Sequence, residues 1–273
     1  MRPRYREQVK HQSAALQQNP VSLASDHQPT VRMRPIWETM LSQVRKILPR
    51  PHRNVSVSPP LTYAEKAIDG DWLAASMTTF GQSVGSFVPA TFEAYARFYH
   101  AIRPNGADSV PPTWRTLAEV HRIDLHDSAA VTEVVEMIRS DFWVEAGSLC
   151  ASELCVLLEH LSLATGTGDH CFFAVWEGFG DSPVPAHLRP TLHLPGRAYH
   201  MFKGPLGGAN VNLSSSTITS RSANLWWPAD HAWCVATEID FPWTYVGGSR
   251  ACIDRLVADV RLDAQNVQVS ACR

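Results

Sequence analysis

The apolar residues of this chain change their spacing near residue 165, and that change limits the folds the chain can adopt. Before this point they recur at intervals of three and four, as in TWRTLAEVH at 113–121, which is typical of helices. After it they alternate with other residues, as in HCFFAVWEG at 170–178, which is typical of strands. Helices followed by strands predict an α+β domain: N-terminal helices, then a mainly antiparallel sheet and a closing C-terminal helix.

The first half of the domain is predicted to be helical. The apolar spacing predicts helices over 70–81, 89–104, 114–121, 128–138 and 152–164. In the second of these, Phe92, Tyr95 and Tyr99 fall on one face, and Pro104-Asn105-Gly106 ends the helix.

The second half is predicted to be strands, with one helix at its end. Two short strands flank Pro195-Gly196, and the segments 232–241 and 244–248 form two more. The segment 249–260 is predicted to be the closing helix, with Ser249 at its N-cap.

Residues 1–60 differ in composition from the rest. They hold 10 Lys and Arg against 3 Asp and Glu and few apolar residues, which predicts a basic, largely disordered extension. Within it, 36–48 has the spacing of a short amphipathic helix. That helix either docks on a membrane or a partner, or packs on the chain's own domain, and the second is favoured. One α+β domain is predicted over 61–262, with a tail at 263–273.

The charge of the domain limits its partners. Residues 61–273 hold 14 Lys and Arg against 23 Asp and Glu, a formal charge of −9, which disfavours specific nucleic-acid binding. The acidic domain favours a basic partner instead. The basic extension 1–60 is predicted to make at most weak contacts with polyanions or anionic membranes. No secretory signal is visible and no apolar run reaches the roughly twenty residues of a spanning helix. The six cysteines fit reduced, buried thiols, so a cytoplasmic protein is predicted.

Metal and cofactor motifs are missing from the sequence. The histidines and cysteines lack the CxxC and HxxxH spacings of zinc sites, and no P-loop or GxSxG elbow occurs. We therefore expect no metal and no cofactor.

Three acidic residues are candidates for acid–base catalysis. Glu238 and Asp240 lie two apart in a predicted strand and so share one face, and Glu177 ends another strand. If those strands are neighbours, the three carboxylates line one cleft. The alternative is the solvated face of an amphipathic strand, which is the commoner arrangement.

Aromatic residues before and after the predicted strand at 232–241 are candidates for a binding surface. Side chains at the end of a sheet often form the wall of a pocket. The amides of a Gly-Gly-Ser segment that enters a helix can hold an anion at the helix N-terminus. A tight turn that needs glycine is the simpler explanation for the Gly-Gly-Ser segment. The candidate binding residues are Trp226, Trp227, Asp230, Trp243, Tyr245, Gly247, Gly248 and Ser249.

Four segments resemble a family of uncharacterised actinobacterial proteins. They are 70–100, 172–180, 194–206 and 224–259, of which the last, with WWPADHAWCVATEIDFPWTYVGGS, is the most specific. The likeness covers about 65–260 and implies a cytoplasmic bacterial protein. It carries over no catalytic residue.

A looser likeness is to the SUKH superfamily of immunity-type and partner-binding proteins. It depends on Pro89, Phe92, Tyr95 and Phe98 and on the turn at 245–249 before the final helix. This is similarity of fold, and function argued from it is analogy.

Two functions therefore remain open. The favoured one is a non-enzymatic protein that binds a partner. If the chain is immunity-like, a cationic nuclease toxin would be such a partner. The alternative is a small-molecule hydrolase or transferase that uses Glu177, Glu238 and Asp240 as acid and base groups.

Overall fold

An antiparallel sheet of nine strands forms the centre of the described structure. The computed structural model describes residues 61–64, 68–106, 109–185, 188 and 192–271, all within the compact unit Ser56–Arg273. The extension 1–60, with the amphipathic helix predicted at 36–48, lies outside the described residues.

The strands all pair with their neighbours in antiparallel fashion. In chain order they are β1 (Thr62–Tyr63), β2 (Ala94–Tyr99), β3 (Ile102–Pro104), β4 (Phe142–Val144), β5 (Cys171–Trp176), β6 (Leu192–Leu194), β7 (Arg197–Gly204), β8 (Leu225–Pro228), β9 (Trp233–Ala236), β10 (Trp243–Gly248) and β11 (Asp263–Val267). The main sheet has the order β1-β7-β5-β8-β9-β10-β2-β11, and β6 also pairs with β7. β3 and β4 form a separate two-stranded sheet.

Helices lie on both faces of the main sheet. Within the described residues they are α1 (Asp71–Ser76), α2 (Trp114–His121), α3 (Ser128–Ile138), α4 (Ala151–Ser162) and α5 (Arg250–Ala258). α4 and α5 share one hydrophobic core with the sheet, and α1, α2 and α3 share the other. The α+β class and the antiparallel sheet are confirmed, and the helix predicted over 249–260 is observed as α5, which is followed by β11.

Neighbouring residues of the central strands enter different cores, because side chains alternate across a strand. Trp226 lies in the core with Leu157 of α4 and Ile253 of α5. Trp227, the next residue, lies in the core with Val134 of α3. The central strands are therefore covered on both faces.

Local side-chain chemistry sets two helix starts. The Asp127 carboxylate accepts hydrogen bonds from the backbone N–H groups of Ala129 (2.9 Å) and Ala130 (3.3 Å) and caps α3. The Ser249 hydroxyl accepts from the Cys252 N–H (3.3 Å) and caps α5, as predicted. Capping side chains of this kind satisfy N–H groups that have no partner inside the helix.

The helix predicted over 89–104 is wrong. Residues 94–99 form β2, which pairs with β10 and β11. All six strand residues are buried, because a core covers each face, so apolar side chains are needed at nearly every position. The alternation typical of a half-exposed strand is then lost, and the aromatic residues at helical spacing indicated a helix instead.

Two element ends also differ from the predictions. Residues 263–267, assigned to a tail, form β11 beside β2 at one edge of the main sheet. Their sequence, DAQNV, is polar because most of this edge strand is only partly buried, so it lacks an apolar pattern. The helix predicted over 70–81 ends at Ser76.

Replacing Gly247 with alanine is expected to lower the free energy of unfolding by about 1–3 kcal/mol, the usual cost of overpacking a core. A Cβ atom at this position would lie 2.5 Å from the Phe92 ring. Gly248→Ala is the matched control, because its Cβ would meet Trp233 Cβ at 3.5 Å, an ordinary contact distance. Urea unfolding of both variants checks this, and equal losses would contradict it.

Candidate functional site

The tryptophans proposed as a binding surface are buried. Trp226 is 1% exposed and Trp227 is 0% exposed, so the aromatic surface predicted from them is wrong. Trp226 stacks on Phe173 and Trp227 stacks on Phe172, both on the neighbouring strand β5. The rings of Trp226 and Phe173 lie in one hydrophobic core of the sheet, and those of Trp227 and Phe172 lie in the other.

Trp243 and Tyr245 are likewise core residues. Tyr245 is 0% exposed and stacks on Phe87, with 5.8 Å between the ring centroids. Trp243 is 2% exposed and contacts Phe241, with 4.7 Å between the ring centroids. Of these two residues, only Trp243 also contributes to the wall of a groove.

The Gly-Gly-Ser segment joins β10 directly to α5, and the anion site considered as an alternative there is not formed. Gly247 and Gly248 are buried in β10, and the Ser249 side chain caps α5. The first N–H of α5, from Arg250, already donates to the Glu93 carboxylate at 2.9 Å. A carboxylate of the chain itself therefore occupies this helix N-terminus.

Asp230 joins two loops of the fold. Its carboxylate accepts hydrogen bonds from the Thr165 hydroxyl (2.8 Å), the Gly166 N–H (2.8 Å) and the Ala232 N–H (3.2 Å). It thereby holds the loop after α4 against the turn between β8 and β9. Its described contacts are structural.

The three acidic candidates do not share a pocket. β9 ends at Ala236, so Glu238 and Asp240 lie beyond the strand and do not follow its alternation. Glu238 is buried and forms an ion pair with Arg197, whereas Asp240 and Glu177 are exposed. The Arg197 guanidinium lies 4.9 Å from the Phe80 ring and 5.0 Å from the Trp176 ring.

The cavity beside Glu238 is too small for a substrate. It has a volume of about 20 Å³ and is lined by Arg197, Tyr199 and Glu238 among others, but by neither Asp240 nor Glu177. A buried water needs about 10–15 Å³ of such volume, so the cavity holds about one water molecule. Burial raises the pKa of the Glu238 carboxyl above its usual range, and the Arg197 guanidinium opposes that shift. The predicted acid–base cleft is therefore not formed.

A buried histidine that the sequence did not single out is fully bonded inside the fold. His100 Nδ1 lies 2.7 Å from the Glu145 carbonyl oxygen, and Nε2 lies 2.9 Å from Thr244 Oγ1. Burial lowers the pKa of His100, which favours the neutral ring. A carbonyl only accepts, so Nδ1 carries the proton and Nε2 accepts from Thr244, whose oxygen in turn accepts from Thr237 (2.8 Å).

A buried arginine was also missed. Arg97 is 1% exposed and donates to the Leu125 carbonyl (3.2 Å) and to the Tyr245 hydroxyl (3.2 Å). Its guanidinium carbon lies 4.9 Å from the Trp243 ring. Among the described residues it has no ion-pair partner, so a positive charge lies behind Trp243. The pairing of β2 with β10 brings Arg97 beside Trp243 and Tyr245.

A groove of about 450 Å³ runs between α3 and the segment that leads into β10, and we call it the α3 groove. Its floor is apolar and its rim carries two carboxylates, and among the described residues no Lys, Arg or His lines it. The lining residues are Ser128, Ala129, Thr132, Val135, Glu136, Ala146, Asp240, Phe241, Pro242 and Trp243.

A second groove of about 450 Å³ runs beside β11 and α2. Its lining carries both signs of charge, with Arg115 opposed by Glu119, Asp259 and Asp263. Asp263 already accepts from the Trp114 N–H at 3.2 Å. The α3 groove is the better candidate site, because its lining charges have one sign.

Metal ligands do not cluster in the part of the chain that the structure describes. No three His, Cys, Asp or Glu side chains come close enough there to hold a metal ion. Among the described helices, none has the length and apolar character needed to cross a membrane.

Comparison with known proteins gives no relative. No family model matches the sequence, and no curated protein or solved structure matches it either. The likenesses to actinobacterial proteins and to the SUKH superfamily stay predictions from the motifs.

The buried carboxyl of Glu238 leads to a pH dependence of stability. A carboxyl whose pKa is raised on folding stabilises the fold below its unfolded pKa, about 4.3, and loses that contribution as the pH rises through the folded value. Glutamine stays neutral, so Glu238→Gln should gain stability relative to wild type from about pH 4 to pH 7. Urea unfolding across that range measures the difference.

Glu177→Gln is the control for this experiment, because Glu177 is exposed. Its stability should follow that of the wild type across the same range. A difference between Glu238→Gln and wild type that stays constant with pH would show that the pKa of Glu238 is not raised on folding.

Proposed function

We propose that the protein is a non-enzymatic, cytoplasmic partner-binding protein whose α3 groove receives a cationic, partly apolar segment of another protein. The observation that carries this proposal is the composition of the groove. Among the described residues its lining has two carboxylates and no basic side chain, around a floor that includes Val135, Phe241 and Trp243. Aromatic and aliphatic floors with a polar rim are typical of protein-binding surfaces.

The volume of the groove supports an occupant larger than a single water or ion. About 450 Å³ lies within the range of binding clefts, which runs from about 300 to 1,000 Å³. This is far more than the cavity beside Glu238 offers. An enzyme that uses Glu177, Glu238 and Asp240 together is disfavoured, because these groups lie apart.

Charge supports a basic partner. Asp240 is exposed and has no hydrogen bond or ion pair within the described residues, so its carboxylate is available. The formal charge of −9 over 61–273 attracts a basic partner over longer distances and speeds its association. A cationic nuclease bound by an immunity-type protein has this chemistry, in line with the looser likeness to SUKH proteins.

Peptide selection tests the proposal directly. The full-length protein is immobilised, peptides are selected from a random display library, and binding is measured by fluorescence polarisation. Selected peptides should be enriched in Lys and Arg beside apolar residues. Asp240→Asn should weaken them by roughly 2- to 5-fold, the effect of one exposed charge. Ala146→Arg, at an exposed rim position, should weaken them by more than about 10-fold through like charge and bulk.

Glu133→Gln is the matched control. Glu133 is an exposed acid of α3 that does not line the groove, so its loss should leave binding unchanged. Peptides without an excess of basic residues, or binding that Ala146→Arg does not alter, would rule the proposal out.

A further inference from the structure

The α3 groove combines an apolar interior with one available carboxylate at its rim. We infer that the group the partner places there is a lysine side chain, with its aliphatic stem on the floor and its ammonium at Asp240. This inference rests on the proposed function and adds the identity of the bound group. A lysine has a flexible four-carbon stem and a compact charge that only donates hydrogen bonds.

The rim has one carboxylate without a partner. Glu136 already accepts from the guanidinium of Arg139, the residue that follows α3, at 2.6 Å. Asp240 lies on the opposite wall and has no such pair within the described residues. A cation entering the groove therefore finds its strongest attraction at Asp240.

The interior of the groove disfavours a positive charge. The Arg97 guanidinium is buried behind the floor, 4.9 Å from the Trp243 ring, and no described carboxylate pairs with it. It repels a second cation placed deep against Trp243. The charge of the occupant is therefore kept at the rim, while uncharged carbon atoms fill the interior.

The groove wall offers few hydrogen-bond donors to an occupant. The Thr132 hydroxyl donates to the Ser128 carbonyl at 2.8 Å. Trp243 Nε1 and Ser128 Oγ are buried atoms without a hydrogen-bond partner, and neither reaches the surface of the groove. The carboxylates of Glu136 and Asp240 at the rim only accept hydrogen bonds, so they match an ammonium rather than an anion.

The same contacts favour lysine over arginine. A guanidinium gains most from stacking on an aromatic face and from a bidentate pair with a carboxylate. Trp243 already has the Arg97 guanidinium against its ring and is 2% exposed, and Glu136 already has Arg139. What remains is an apolar floor with one carboxylate, which suits a long stem and a point charge.

Small probes test the bound group on the full-length protein. Backbone amide NMR titrations compare n-butylammonium, the lysine side-chain analogue, with n-propylguanidinium and with neutral n-butanol. The ammonium should shift amides of α3 and of 240–243, and should bind roughly 2- to 5-fold more tightly than n-butanol, the effect of one exposed ion pair. Asp240→Asn should remove that advantage, and Glu133→Gln should keep it.

Equal binding of n-butylammonium and n-butanol, or tighter binding of n-propylguanidinium, would overturn the inference. Peptides separate its failure from that of the proposed function. A selected peptide should weaken when its lysine is replaced by norleucine, and should recover binding to Asp240→Lys when that lysine is replaced by glutamate. If basic peptides bind in the groove and norleucine changes nothing, the partner-binding function stands and the lysine assignment fails. If no peptide binds, the proposed function fails.

Discussion

Burial of both faces of the central strands is the constraint on which the rest of the structure depends. β8, β9, β10 and β2 lie between two cores, so successive side chains such as Trp226 and Trp227 are buried in opposite directions. A buried tryptophan removes about 150–250 Å² from water, which at about 25 cal/mol per Å² contributes on the order of 4–6 kcal/mol before entropy is counted. Trp226 and Trp227, which are buried in this way, therefore do not form the exposed surface expected from the sequence.

Covering both faces requires that polar groups near the sheet be bonded within the chain, since an unpaired buried charge is costly. Glu238 pairs with Arg197, Glu93 holds the first amide of α5, and Asp230 holds the loop after α4. Each of these acids therefore has a structural role. Asp240 differs because its side chain is exposed, whereas the rest of the segment between β9 and β10 is buried or partly buried.

The α3 groove occurs where this segment lies beside a helix. α3 packs its buried face on the sheet, and its flank together with residues 240–243 leaves a cleft that the fold does not fill. The cleft takes its apolar floor from the edge of the core and its carboxylates from the surface. The buried Arg97 behind that floor adds a positive charge, although the net charge of residues 61–273 is negative. This mixture supports the proposed partner binding, and within the described residues Glu177, Glu238 and Asp240 do not line one pocket.

The sequence by itself determined the α+β class, the helices α2, α3 and α4, the turn at Pro195-Gly196 and the cap of α5, because spacing, glycine and capping residues act locally. Gly196 has φ of 76°, which glycine adopts without steric cost. Asp240 was named from the sequence, but as an acid–base group. Tertiary structure alone decided that 94–99 form a strand, that the tryptophans are buried, and that Glu238, Asp240 and Glu177 lie apart. Those outcomes depend on which segments, distant in sequence, cover each face of the sheet. Local sequence patterns do not specify contacts between distant segments.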